Sequence, residues 1–147
     1  SYVVQAACLQ SLAEVDSTSA VALAREYVEK ESHRNILRRA ALNVLRRVHA
    51  PESLPHAQKY AQLGHPSDIR AMALGVLRDA GEKDFSSRSL VMKLVNDSDT
   101  LIRKGAIRTL EQWGGGDART ALEQRKVVER DEDVKKVLDS ALETIVK

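Results

Sequence analysis

The chain has 147 residues, 43% of them hydrophobic and 30% charged, with a net charge of +2 from interspersed opposite charges. That composition is globular; it excludes a disordered chain and a dedicated nucleic-acid binder, whose cations must outnumber carboxylates to neutralise phosphates. Aromatic residues make up only 3% and cysteine occurs once, which excludes a disulfide framework and a cysteine-built zinc site and favours small side chains packed between helices over a β-sandwich.

Five segments repeat one pattern along the chain: 4–12, 37–45, 69–77, 102–110 and 134–142. Each opens on an aliphatic residue and closes on leucine eight positions later, and successive starts lie 32 or 33 residues apart. Apolar positions at offsets 0, 3, 4, 5 and 8 trace one helical face, so each segment predicts a helix, here termed B. Offset 4 is small in the first four (Cys8, Ala41, Ala73, Ala106), with Leu138 the exception. Between them lie second amphipathic segments, termed A. In the first, Ala20, Leu23, Ala24, Tyr27 and Val28 follow helical spacing, and 54–63, 85–95 and 118–128 are the later counterparts.

The punctuation agrees. Asp16, Ser53 and Asp131 are expected N-caps, and Ser32, Ser67 and Asp97 or Asp99 precede other helices. Gly64-His-Pro66, Gly81 and Gly114-Gly-Gly116 stop helices. The expected architecture is all-α: an α-solenoid of about four and a half helical hairpins, one repeat domain over 1–147, beginning on a lone B helix. The chain starts at Ser1 rather than Met, so it reads as a fragment of something longer, with Val3 and Val4 facing a neighbour. No apolar run approaches the roughly 20 residues of a membrane helix. The compartment stays open between cytoplasm and periplasm.

The B segments carry a basic residue at offset 1 (Arg38, Arg70, Arg103, Lys135) and resemble the HEAT repeat over nearly the whole chain. The resemblance implies that this residue forms a ladder with aspartates of the inter-helix turns. Asp68, Asp99 and Asp133 fit that role, whereas Gln5 and Ser32 depart from it. A narrower resemblance rests on Ser1-Tyr-Val-Val-Gln-Ala-Ala-Cys-Leu-Gln-Ser-Leu-Ala13, followed by Asp16 and the hairpin ending in Tyr27. It is similar to the HEAT-like C-terminal region of bacterial zinc aminopeptidases of the aminopeptidase N type. That implies a parent enzyme trimming N-terminal residues from peptides, with this region supporting or gating the peptide channel. The zinc would belong to the parent, because the family's His-Glu-x-x-His helix and Gly-x-Met-Glu-Asn loop are absent from residues 1–147.

No catalytic, metal or cofactor residue is expected within the chain. His33, His49, His56 and His65 lack the i+3 or i+4 ligand spacing of a zinc helix. Cys8 reads as a buried packing thiol at offset 4. Gly114-Gly-Gly116 follows a helix rather than a strand and reads as a flexible connector, not a phosphate loop, and Trp113 as a cover on the end of the stack. The remaining signal is charge. Arg34, Arg38, Arg39, Arg46 and Arg47 fall within residues 33–49 without an acid. At offsets 2, 6 and 9 of the B helices, Arg39, Arg46, Arg78, Lys104 and Arg108 form a candidate interaction stripe on the concave side, against the plainer reading of a solvated face. The expected partners are therefore the rest of the parent, or a protein or acidic peptide if the domain is an adaptor; neither nucleic acid nor membrane is expected.

Overall fold

The computed structural model describes residues 1–146. Among them the helices run α1 (Tyr2–Val15), α2 (Ser17–Glu29), α3 (Ile36–Val48), α4 (Leu54–Ala61), α5 (Ser67–Ala80), α6 (Phe85–Leu94), α7 (Thr100–Trp113), α8 (Gly116–Val128) and α9 (Glu132–Thr144). Two single 3-10 turns, His33–Asn35 and Pro51–Ser53, precede α3 and α4. No strand occurs among the described residues. The five B segments lie in α1, α3, α5, α7 and α9, and the A segments in the helices between, so the fold is the all-α solenoid of hairpins that the register predicts.

The chain packs as two compact units, Ser1–Ala80 and Gly81–Lys147. In the first, α2 packs on α3 and α4 on α5, while α1 lies against α2 and α3, and α3 against α5. Its core is aliphatic: Leu9, Val28, Leu37, Leu42, Leu45, Ile69 and Leu77 are fully buried. Each such side chain contributes on the order of 1.5–3 kcal/mol by leaving water. In the second unit α6 packs on α7, α8 on α7 and α9, and α7 on α9, around Ile102, Ile107, Leu110, Leu122 and Leu138. Ala41, Ala73 and Ala106 at offset 4 are fully buried, as close helix approach requires.

Cys8 departs from that seam. It is exposed, because α1 meets α2 and α3 through the side that buries Leu9 and has no helix against offsets 0, 3 and 4. Burial at offset 4 depends on a neighbour, which the local pattern does not encode.

Capping follows the acidic residues. Asp16, Asp84, Asp99 and Asp131 accept backbone N–H bonds from Ser19, Ser87, Leu101 and Val134 at 2.8–3.1 Å, and Ser32 Oγ accepts from Leu37 N at 3.0 Å. Each satisfies an amide that the first turn leaves without a helical partner. Ser53 does otherwise. Its buried hydroxyl donates to the Ala50 carbonyl and closes the 3-10 turn, and Pro55 occupies the first turn of α4, where a missing N–H costs nothing.

The glycine run is pinned rather than loose. Gly114 (φ 68°) ends α7 and Gly115 (φ 98°) precedes α8, which already includes Gly116. Gly115 N donates to Val146 O at 2.9 Å and the Gly114 carbonyl accepts from Arg88. Trp113 is buried at the end of α7.

Candidate interaction surfaces

The offset-1 cations all lie at the starts of their helices; two of them reach the last carbonyls of the preceding A helix, and Arg103 reaches the turn between α6 and α7. Arg38 Nε donates to Val28 O at 2.7 Å, Arg70 Nε to Ala61 O at 3.0 Å, and Arg103 Nη1 to the carbonyls of Asp97 and Ser98 at 2.9 and 3.2 Å. The last carbonyls of a helix lack intrahelical donors and carry its negative end, so a guanidinium there satisfies both needs. Lys135 instead pairs with Glu132, at 2.8 Å, on an exposed turn.

Arg103 also makes a deeply buried ion pair. Its Nε and Nη2 donate to the two carboxylate oxygens of Glu129 at 2.9 and 3.0 Å, and Arg125 Nε adds a third bond at 2.9 Å. The backbone N–H groups of Arg130 and Asp131 complete the shell. The Glu129 side chain is 1% exposed. Burial pushes its pKa up, but the bonds from Arg125, Arg103 and the Asp131 amide outweigh this and bring it down to about 2.

A second cluster joins α2 to α4. Glu29 accepts from Lys59 Nζ at 2.5 Å, Tyr60 Oη at 2.9 Å and pairs with His56 Nδ1 at 2.9 Å. Burial raises its pKa, and the bonds from Lys59, His56 and Tyr60 lower it, to about 2. The Arg38 guanidinium sits 4.5 Å from the Tyr60 ring centre, a cation–π contact. Arg88 on α6 similarly clamps Asp117 on α8 at 2.6 and 2.7 Å. That bond, more than opposing burial, holds the Asp117 carboxyl at about 2.

The candidate stripe divides. Arg39 pairs with Asp68, and Arg46 Nε with Asp79 Oδ2 at 2.9 Å, each tying α3 to α5. Arg78 is half-buried near the end of α5. In the second unit Lys104 is half-buried and Arg108 exposed on α7. Sequence inspection missed that Arg39–Asp68, Lys59–Glu29 and Arg88–Asp117 join residues 29 or 30 apart, and Arg46–Asp79 residues 33 apart. These are close to one repeat, so opposite charges about 30 residues apart were the usable signal.

Arg46 also lies over Gly75. A β-carbon built there would stand 3.0 Å from Arg46 Nη1, the far end of a flexible side chain that is 48% exposed and need move only a few tenths of an ångström while its Nε stays on Asp79. Gly75→Ala removes a glycine from a helix interior, and its expected effect is stabilisation of at most about 1 kcal/mol, read as a higher urea midpoint.

The remaining surface is apolar. Val3, Val4, Ala7, Cys8, Ser11, Leu12 and Val15 line one open face of α1, with Val3, Val4 and Val15 at 62%, 59% and 83% exposure. None of these seven residues is charged. Among the described residues no three His, Cys, Asp or Glu side chains group to hold a metal ion, and no helix is long and apolar enough to cross a membrane.

A search of curated proteins finds no match to the sequence. The family model described as HEAT repeats matches residues 1–78, just over half the chain, and spans α1 to nearly the end of α5. With hairpins repeating every 32 or 33 residues and arginines clamping the A-helix ends, the chain belongs to the HEAT-repeat family.

Proposed function

We propose that this HEAT-repeat domain is a non-catalytic scaffold of a larger enzyme, a zinc aminopeptidase of the aminopeptidase N type, in which it supports or gates the peptide channel. The observation that carries the reading is α1. The phrase resembling those enzymes lies on this helix, and the same helix leaves an uncharged apolar face uncovered. Exposed apolar patches of this kind mark interaction sites. The cross-linked helices of the first unit, α2 to α4 and α3 to α5, suit a rigid support.

The purified chain is expected to hydrolyse no aminoacyl-nitroanilide with or without zinc. Zinc-dependent turnover would overturn the non-catalytic reading. The parent is tested by the reading frame that encodes Ser1: a His-Glu-x-x-His motif upstream supports the peptidase, and a frame without one removes it.

The second reading is an adaptor that binds a protein or acidic peptide along the B helices. Lys104 and Arg108 on α7 favour it, since neither is engaged in an ion pair among the described residues. Arg39 and Arg46 weigh against it, because Asp68 and Asp79 already compensate their charge. Reversing Arg39, Arg46 and Arg78 to glutamate therefore leaves capture of partners from a lysate unchanged on the first reading, whereas a salt-dependent loss of a partner supports the second.

A further inference from the structure

Four of the five B helices show what belongs on the face that α1 leaves open. At offsets 0 and 4 they carry Leu37 and Ala41, Ile69 and Ala73, Ile102 and Ala106, and Val134 and Leu138, all fully buried. Each of these helices packs against the A helix that precedes it: α2 on α3, α4 on α5, α6 on α7 and α8 on α9. The matching residues of α1, Val4 and Cys8, are exposed. The open strip is continuous with the interface that α1 already makes with α2 and α3, where Leu9 is fully buried.

Offset 1 adds direction. In α3 and α5 this residue donates to carbonyls at the end of the covering helix, Arg38 to Val28 and Arg70 to Ala61, and in α7 Arg103 donates to Asp97 and Ser98 in the turn that follows the covering helix. In α1 the position holds Gln5, a half-buried neutral amide donor.

We propose that the uncovered face of α1 seats one further amphipathic helix, supplied by the same polypeptide, which runs antiparallel to α1 and ends with its last carbonyls over Gln5. Its contacting stripe is small and branched aliphatic and uncharged, because the α1 face offers no group to pair with a buried charge. The source follows from solenoid packing, in which each repeat contacts its neighbours in sequence. A second copy of α1 fits less well. A two-fold pairing of such faces would leave the 33-residue register of the stack without a role, and the experiment below separates it. The proposal rests on the reading that the domain is part of a larger enzyme, and adds the secondary structure, polarity and direction of what adjoins it.

The test grafts the chain's own A helix. Residues 17–33, placed directly ahead of Ser1, keep the 33-residue register, because Val4 corresponds to Leu37. With the graft, Cys8 is expected to react with an aromatic disulfide reagent at least tenfold more slowly, and the unfolding temperature rises. A graft carrying Ala20→Asp and Ala24→Asp, two fully buried positions in the original helix, is expected to leave Cys8 reacting as in the ungrafted chain. Three results would overturn the proposal. One is an unchanged Cys8 rate although the graft adds helix by circular dichroism. Another is a graft that adds no helix, since a seated helix is ordered. The third is concentration-dependent protection of Cys8 in the ungrafted chain with a dimer in sedimentation, which assigns the face to a second copy. None of these bears on the peptidase reading, which is decided by the encoding frame.

Discussion

Glu129→Ala is expected to destabilise the chain by about 3–5 kcal/mol, because it strands buried cations rather than removing one surface contact. Both carboxylate oxygens are occupied: one accepts from Arg103 Nη2 and the amides of Arg130 and Asp131, the other from Arg103 Nε and Arg125 Nε. Every neighbour is a donor. Glu129→Gln is therefore no rescue, since its NH2 group must face donors in either orientation, and its expected loss is comparable to that of alanine. Thermal denaturation measures both variants, and native-like melting of Glu129→Gln would refute the account of the shell. The pH dependence has a defined sign. Glu129 titrates at about 2 in the fold, against an ordinary 4.5, so above pH 4.5 it is ionised in both folded and unfolded chains and its stabilisation is complete. As pH falls from 4.5 towards 2 the unfolded chain takes up the proton first, and on the order of 3 kcal/mol is lost. The Glu129→Ala variant should lack this part of the acid dependence.

The hairpin stack was legible in the sequence because its determinants are local. A helical stripe, a small residue at offset 4 and a capping acid each act within a turn or two, and the 32–33-residue period follows from two helices and their turns. What escaped depends on distance. Cys8 carries the pattern of a buried residue, yet it is exposed because, among the described residues, no helix packs on its face of α1. Ser53 has the composition of a cap, yet Pro51 draws the chain into a 3-10 turn in which its hydroxyl donates instead of accepting. The charge stripe read as free surface because Arg39 and Arg46 meet Asp68 and Asp79 only once α3 lies against α5. The offset-1 arginines were singled out from the repeat. Their bonds to carbonyls of the A-helix ends and of the α6–α7 turn came only from the structure, since backbone acceptors leave no trace in residue identity.

The connector between α7 and α8 shows the same limit and gives a second large effect. Three consecutive glycines suggest slack, but only two link the helices, and each is held. Gly115 has φ 98° and ψ 157°, a region that side chains scarcely populate at a cost of order 1–3 kcal/mol. A β-carbon there would lie 2.7 Å from Arg88 Nη2 and 2.9 Å from Asp117 Oδ1, inside the ion pair that joins α6 to α8. Neither side chain can yield without breaking that pair or the bond from Arg88 to the Gly114 carbonyl. Gly115→Ala is thus expected to cost about 3 kcal/mol or more, combining backbone strain with the lost clamp. Gly116→Ala is the matched control, because Gly116 lies in the first turn of α8 and its β-carbon meets nothing within 4 Å. That variant should melt at or slightly above the parent temperature. Equal melting of the two variants would mean that the run is slack after all, and that the Arg88–Asp117 pair contributes little to holding α6 on α8.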